Sequence, residues 1–170
     1  MKGESMRKVV FLDRDGVINK DVSYLYKIED LQWVDGAKEA LQLAYDAGYD
    51  LIVVTNQSGV ARGYYKESDV QILHDYMGNE LDKAGAPILR FYYCPHHEEG
   101  IIDKYAVNCD CRKPKPGMLL QAIKEYHINP SESFLIGDNV RDVEAAEAAG
   151  VKGYLFTGEN LLEFMKTIVN

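Results

Sequence analysis

The alternation of short apolar runs with longer helix-type patterns constrains the fold of this chain most strongly. The apolar runs lie at residues 9–12, 51–54, 88–93 and 134–136, and a weaker run surrounds Tyr154. Strands of a parallel sheet are buried on both faces by crossover helices, so they form continuous apolar runs rather than alternating ones. The sequence therefore predicts an α/β fold of three layers with a central, mainly parallel sheet.

Helical periodicity fills the segments between these runs. In residues 67–84, apolar side chains recur at three- and four-residue spacing, and Gly85 follows directly. The other predicted helices cover residues 37–47, 117–126 and 142–149 and a stretch from Leu161 onward. A chain of 170 residues suits one domain without a large cap, with residues 1–5 as a flexible extension.

Charge and apolar content limit the expected partners. The formal net charge is −8, which repels nucleic acid and anionic lipid, so neither is an expected partner. The first apolar run, residues 9–12, is far shorter than a signal sequence or a membrane span. We expect a cytoplasmic monomer that acts on a small molecule.

Two carboxylates follow the first predicted strand directly. Asp13 and Asp15 stand at alternate positions and can face the same side, with Arg14 between them on the other side. Gly16 lets the chain turn immediately afterward. Phosphoryl transfer from a monoester can use a carboxylate nucleophile with a neighbouring acid for the leaving oxygen. Taken alone, the motif is equally typical of a solvated Asp-Gly turn.

Three further polar segments follow strands or lie in a loop beside one. Residues 55–59 offer a hydroxyl and backbone N–H groups for phosphate oxygens, and Arg112 and Lys113 offer cations. Asp138 ends the strand at residues 134–136, and Asp142 lies on the next helical turn, as suits Mg²⁺. Each segment alone could be a turn or a solvated patch, but carboxyl ends of parallel strands meet at one edge. Their shared placement predicts a phosphate and Mg²⁺ site there.

Every cysteine of the chain lies in one irregular segment. Cys94, His96, Cys109 and Cys111 form a C-x-H and C-x-C arrangement that suits tetrahedral Zn²⁺. Such a site has no open position, so we expect a structural zinc that clamps residues 94–111. Reduced thiols without metal are the alternative, and His97 is an alternative ligand.

Five stretches carry a specific resemblance: FLDRDGVIN, VVTNQSGVARG, YYCPHH, CDCRKPKPGM and IGDN. Together they resemble the haloacid dehalogenase superfamily of phosphatases, and within it the D-glycero-D-manno-heptose-1,7-bisphosphate 7-phosphatase branch. The resemblance implies a Rossmann-like fold. It also implies hydrolysis of the 7-phosphate of a heptose bisphosphate, a step in making nucleotide-activated heptose for lipopolysaccharide core.

The resemblance also implies residue roles. Asp13 would be the nucleophile and Asp15 the general acid and base, and Thr55 and Lys113 would stabilise the phosphoryl group. Mg²⁺ would be held by Asp13, the carbonyl of Asp15 and Asp138. The substrate contacts that we expect are Asn19, Asp21, Val22, Ser23, Tyr24, Asn56, Gln57, Ser58, Arg112 and Asn139. Some family members carry a Lys where this chain has Asn139, so this chain departs from the family pattern at this expected substrate contact.

Three alternatives remain at this point. The same chemistry could act on histidinol phosphate or another small sugar phosphate, because related phosphatases share the aspartates and the zinc loop. A phospho-accepting receiver domain also combines an acidic pocket with a Thr and a Lys on a parallel sheet, although its acceptor normally follows a middle strand. A zinc-held binding module without catalysis is the third alternative.

Overall fold

The computed structural model describes residues 5–169, so the predicted extension at residues 1–5 lies outside the described residues except for Ser5. A single sheet contains five strands in the order β3-β2-β1-β4-β5, and every pairing is parallel. The strands are β1 (Val9–Leu12), β2 (Asp50–Asn56), β3 (Ile88–Cys94), β4 (Phe134–Gly137) and β5 (Lys152–Leu155). The predicted parallel sheet is confirmed.

Within the described residues, five α-helices connect and cover the strands. They are α1 (Ala37–Asp46), α2 (Glu67–Lys83), α3 (Gly117–Tyr126), α4 (Val140–Ala148) and α5 (Leu161–Lys166). Helix α4 begins before the predicted residue 142 because the Asn139 side chain accepts a hydrogen bond from the Arg141 amide and so acts as the N-cap. Two 3-10 turns, Ile28–Asp30 and Pro130–Glu132, were not predicted.

The side chains of β1 divide the core into two faces. Val10 and Leu12 pack with buried residues of α1, α2 and α5 on one face, while Val9 and Phe11 pack with α3 and α4 on the other. All four β1 residues are fully buried, which explains why this strand is apolar without alternation. The three-layer α/β fold is therefore confirmed.

Sheet order brings the predicted motifs to one edge. Strand β1 lies between β2 and β4, and the Asp13 amide donates a hydrogen bond to the Ile136 carbonyl at 3.1 Å. The segments that follow β1, β2 and β4 therefore meet at their carboxyl ends. Within residues 5–169 these segments form no separate cap domain. No helix in this part of the chain is both long enough and apolar enough to cross a membrane.

Candidate active site

A cavity of about 370 Å³ opens at the carboxyl ends of the strands. Most of the residues predicted to form the site line it. These are Asp13, Asp15, Asp21, Ser23, Tyr24, Asn56, Gln57, Ser58, Arg112, Lys113, Asp138 and Asn139. Four segments far apart in sequence thus converge on one space.

Three predicted residues lie outside the lining. Thr55 is 1% exposed and Asn19 is fully buried, and both lie behind residues that line the cavity. The Val22 side chain is exposed and does not line the cavity, so no substrate contact from it is seen in this arrangement. Arg62 and Tyr65, which were not predicted, do line the cavity, and so does Arg141.

Lys113 links two buried carboxylates beneath the cavity. Its Nζ lies 2.9 Å from Asp13 Oδ1 and 2.7 Å from Asp142 Oδ1, and it donates to the Val54 carbonyl at 2.8 Å. Lys113 and Asp142 are each 1% exposed. Asp142 therefore acts as the second counter-ion of Lys113, a role that the sequence did not indicate.

Burial and this charge arrangement shift the pKa values of both partners. Burial is the main cause that raises the pKa of Asp13 to about 7; the charge of Lys113 opposes it, and the carboxylates of Asp142 and Asp15 add to it. Burial lowers the pKa of Lys113, but the two carboxylates beside it outweigh this effect and the pKa is raised. Lys113 therefore stays charged, whereas Asp13 carries negative charge that its surroundings only partly compensate.

A network of donors fixes the Asp15 carboxylate. Arg14 Nη2 donates to Oδ1 at 3.1 Å, Asn19 Nδ2 donates to Oδ1 at 3.0 Å, and Gln57 Nε2 donates to Oδ2 at 3.1 Å. Arg14 is fully buried, and its Nη1 lies 3.1 Å from His74 Nε2. Burial, followed by the Arg14 charge, holds the pKa of His74 well below its ordinary value, so the ring is neutral and can accept from Arg14.

The last residue of β2 and the residue after it form hydrogen bonds that position neighbouring catalytic candidates. Gln57 also donates to Thr55 Oγ1 at 2.9 Å and accepts from the Tyr65 hydroxyl at 2.6 Å. The Asn56 side chain forms reciprocal hydrogen bonds with the Lys113 backbone, at 3.0 Å from its amide and 3.2 Å to its carbonyl. These hydrogen bonds occupy the polar side-chain atoms of Asn56 and Gln57, so the contacts of both residues support a role in positioning Thr55, Asp15 and Lys113.

The acidic side of the cavity fits a divalent cation. Carboxylate oxygens of Asp13, Asp138 and Asp142 lie within 4.8 Å of one another, and carboxylates are ligands that Mg²⁺ prefers. Gly16 has φ +89° and lies so close to this group that a Cβ there would be 2.0 Å from Asp138 Oδ2. Only glycine therefore lets the turn pass behind the cluster.

The four predicted zinc ligands are assembled at the end of β3. Cys94 Sγ lies 2.9 Å from Cys111 Sγ and 3.5 Å from both Cys109 Sγ and His96 Nδ1. His96 Nδ1 lies 3.3 Å from Cys111 Sγ. The hydrogen bond between the Cys94 and Cys111 sulfur atoms is the main cause that lowers the pKa of Cys111 to about 5, which favours its thiolate form. Four such donors around one point fit tetrahedral Zn²⁺.

Contacts away from the cysteines tie the same segment to α2. The Tyr105 and Tyr93 hydroxyl groups both donate to the Glu67 carboxylate, from the loop and from β3 respectively. These hydrogen bonds are the main cause that lowers the Glu67 pKa. The loop that carries Arg112 and Lys113 is therefore fixed at its cysteine cluster and at Tyr105.

Three guanidinium groups line the same cavity as the carboxylates that could bind metal. Arg62, Arg112 and Arg141 come from the segment after β2, the cysteine loop and the first turn of α4. Burial, followed by the charge of Arg141, lowers the pKa of Arg112, and Arg62 adds to this effect. Arg62 and Arg141 are therefore both close enough to repel the charge of Arg112.

Sequence patterns missed several residues of this arrangement for identifiable reasons. His74 lies within the apolar stripe of α2, where a histidine carries no motif. Arg62 lies within the stretch VVTNQSGVARG and Arg141 lies two residues after IGDN, but neither motif assigned a role to these arginines. The placement of Arg14 between two aspartates, directly after a strand predicted to be buried, is the sequence signal that could have pointed to its role.

The fold and the site fit a hydrolase, and the chain belongs to the haloacid dehalogenase-like hydrolase family, whose sequence model matches residues 7–150. This membership removes the support for the receiver-domain alternative. A D-glycero-beta-D-manno-heptose-1,7-bisphosphate 7-phosphatase of Pasteurella multocida is 47% identical over 167 residues, which cover 97% of this chain and 90% of that protein. A D-glycero-alpha-D-manno-heptose-1,7-bisphosphate 7-phosphatase of Photorhabdus laumondii is 48% identical over 144 residues, which cover 85% of this chain and 79% of that protein.

A solved structure shows the same architecture. The D,D-heptose 1,7-bisphosphate phosphatase of B. bronchiseptica, crystallised with magnesium and phosphate, aligns with a TM-score of 0.82 at 27% identity. The alignment covers 95% of this chain and 97% of that one. The resemblance noted from the motifs is therefore confirmed at the level of family and fold.

Proposed function

We propose that this chain is a Mg²⁺-dependent phosphatase that hydrolyses the 7-phosphate of D-glycero-D-manno-heptose 1,7-bisphosphate through an aspartyl-phosphate on Asp13. The observation that carries the proposal is the convergence of Asp13, Asp15, Lys113 and Asp138 on one cavity. The names of the relatives supply the substrate.

In the proposed first step, an Asp13 carboxylate oxygen attacks phosphorus and the sugar oxygen leaves. Lys113 is held by Asp142 and the Val54 carbonyl, so its charge is fixed beside Asp13 before the substrate arrives. A positioned cation of this kind stabilises negative charge on the phosphoryl oxygens as the reaction proceeds. Mg²⁺, held by Asp13, Asp138 and the Asp15 carbonyl, would lower the repulsion between the carboxylate and the phosphate.

Asp15 is the proposed proton donor and acceptor. It gives a proton to the leaving sugar oxygen and later takes one from the water that hydrolyses the acyl phosphate. Its three donors, Arg14, Asn19 and Gln57, hold the carboxylate toward the cavity. We therefore assign these residues a positioning role, in which Arg14 acts with His74 behind it.

Charge on the cavity wall favours a sugar bisphosphate over histidinol phosphate. Histidinol phosphate carries a positively charged amine, which the guanidinium groups of Arg62, Arg112 and Arg141 would repel. A second phosphate would be attracted to the same groups. The relatives include proteins named for each anomer, so we expect the anomer to be selected by contacts at the mouth, where Ser23 and Tyr24 lie.

We also propose that Cys94, His96, Cys109 and Cys111 hold a structural Zn²⁺. The support is the close grouping of four donors in a loop that has little regular structure of its own. Zinc binding would then stabilise the loop that positions Arg112 and Lys113. We further propose that the chain forms a single domain and acts as a monomer in the cytoplasm. Light scattering of the purified protein would test the oligomeric state.

Phosphate release from a substrate panel tests the proposal. The panel contains both anomers of heptose 1,7-bisphosphate, histidinol phosphate and simple sugar phosphates, each with and without Mg²⁺. We expect the heptose bisphosphates to give the highest kcat/KM, and only with Mg²⁺. A higher kcat/KM for histidinol phosphate would refute the proposed substrate while leaving the phosphatase chemistry intact.

Two substitutions test the chemistry itself. Asp13→Asn should abolish turnover, because an amide is a poor nucleophile, and Asp15→Asn should reduce kcat by about 10²- to 10⁴-fold. Asp46→Asn, at an exposed carboxylate on α1, is the matched control and should not change the rate. Undiminished turnover of either active-site variant would contradict the assigned roles.

A further inference from the structure

The arginine cluster formed by Arg62, Arg112 and Arg141 lines the cavity without a carboxylate partner among residues 5–169. Within residues 5–169, none of the three guanidinium groups forms an ion pair with a carboxylate. Arg62 Nε and Arg112 Nη1 are buried and lack a hydrogen-bond partner among the described residues. Arg62 Nη2 contacts only the ring of His97, at 3.3 Å.

This arrangement is costly unless an anion binds to it. Buried donors without partners and neighbouring like charges both destabilise a folded chain. The cost is not a general excess of positive charge, because the formal net charge of the chain is −8. Lys113 does not belong to the cluster, because Asp13 and Asp142 already neutralise it. The cavity thus has a second positive centre, separate from the one beside the nucleophile.

Arg141 brings a positive charge to the cavity from the first turn of α4. The neutral Asn139 side chain accepts a hydrogen bond from the Arg141 amide and so caps this helix. Arg141 itself lines the cavity together with Arg62 and Arg112. The three guanidinium groups therefore reach one cavity from segments that are far apart in sequence.

We propose that Arg141 is a specificity-determining residue that, with Arg62 and Arg112, binds the second, non-reacting phosphate of the substrate. This inference rests on the proposed function, since it requires a bisphosphate whose first phosphate lies at Asp13. Arg141 is exposed at the rim, so its planar guanidinium can close on the phosphate once the sugar is seated. The contact discriminates a bisphosphate from a monophosphate without taking part in bond cleavage.

Competition experiments test the role of Arg141 on the protein loaded with zinc and Mg²⁺. Hydrolysis of p-nitrophenyl phosphate is measured with heptose 1,7-bisphosphate or inorganic phosphate as competitor. For Arg141→Ala we expect the inhibition constant of the bisphosphate to rise about tenfold or more, the scale of a lost charged hydrogen bond. The inhibition constant of inorganic phosphate should rise by less than about twofold, so the ratio of the two inhibition constants reports the role of Arg141.

Matched variants separate this role from a general effect of charge or folding. Arg90→Ala removes an exposed arginine on β3, away from the cavity, and should change neither constant. Arg141→Lys should recover part of the bisphosphate affinity. Asn139→Lys added to Arg141→Ala should also recover part of it, because position 139 lines the same cavity and the new side chain returns a positive charge to it.

The outcomes for this inference and for the proposed function are distinguishable. An unchanged bisphosphate inhibition constant in Arg141→Ala overturns the inference, and so does an equal loss for inorganic phosphate. Failure of the parent to release phosphate from the bisphosphate refutes the proposed substrate, while competition still reports on Arg141. If the parent hydrolyses neither compound, the proposed function fails, and calorimetric titration with the bisphosphate measures the same affinity difference directly.

Discussion

Substituting Asp13, the proposed nucleophile, should stabilise the folded protein when magnesium is absent. Asp13 is 8% exposed, and burial is the main cause that raises its pKa to about 7 from an ordinary value of 3.8. A carboxyl group with a raised pKa in the folded state disfavours folding once it is ionised. Asp13→Asn removes that charge and keeps the shape of the side chain, so it should raise the free energy of unfolding.

The size of the effect follows from two opposing contributions. The interval between the ordinary pKa of 3.8 and about 7 corresponds to an upper bound of about 4 kcal/mol above pH 7. Removing one partner of a buried ion pair usually costs about 3–5 kcal/mol when the other charge is left uncompensated. The charge of Lys113 would still be compensated in the variant, because its Nζ lies 2.7 Å from Asp142 Oδ1. We therefore expect a net gain of about 1–3 kcal/mol at pH 7.5.

Urea unfolding as a function of pH provides the assay. The proteins keep their zinc and are freed of magnesium by dialysis, because a strong chelator would also remove zinc. Protonated Asp13 carries no penalty, so the parent should lose stability relative to Asp13→Asn as pH rises from about 4 through about 7. Added Mg²⁺ should stabilise the parent more than the variant, because it binds the folded site.

Two results would refute this reasoning. One is a variant that is less stable than the parent at pH 7.5 without magnesium. The other is a stability difference that stays constant between pH 4.5 and 8, since the origin of the effect would then not be ionisation of Asp13. Asp46→Asn, which removes an exposed carboxylate, should show neither a gain nor a pH dependence and serves as the control.

Two further substitutions test the metal sites separately. Gly16→Ala should weaken Mg²⁺ binding by at least about tenfold, because the new Cβ would lie 2.0 Å from Asp138 Oδ2 and the backbone has φ +89°. Gly158→Ala is the control, because the nearest atom to its new Cβ would be 3.5 Å away. Equal magnesium titrations of the two variants would contradict the expectation. Cys109→Ser should lose zinc in native mass spectrometry and lower the melting temperature, and retained zinc would contradict the assignment of this ligand.

Sequence determined the architecture and much of the site, for local reasons. Continuous apolar runs such as Val9–Leu12 occur where both faces of a strand are buried, and the runs marked all five strands. Carboxyl ends of parallel strands share one edge, so Asp13 and Asp138 could be placed together before their distance was known. The C-x-H and C-x-C spacing likewise predicted the cluster now seen at Cys94.

Only the tertiary structure decided how charges are paired within the site. Asp142 is the counter-ion of Lys113, and His74 supports Arg14 from the interior of a helix whose sequence predicts only packing. The same holds for Arg141, whose reach into the cavity depends on where α4 begins. Local patterns place residues along a strand or helix, but ion pairs depend on side-chain reach between elements that meet only after the sheet has formed.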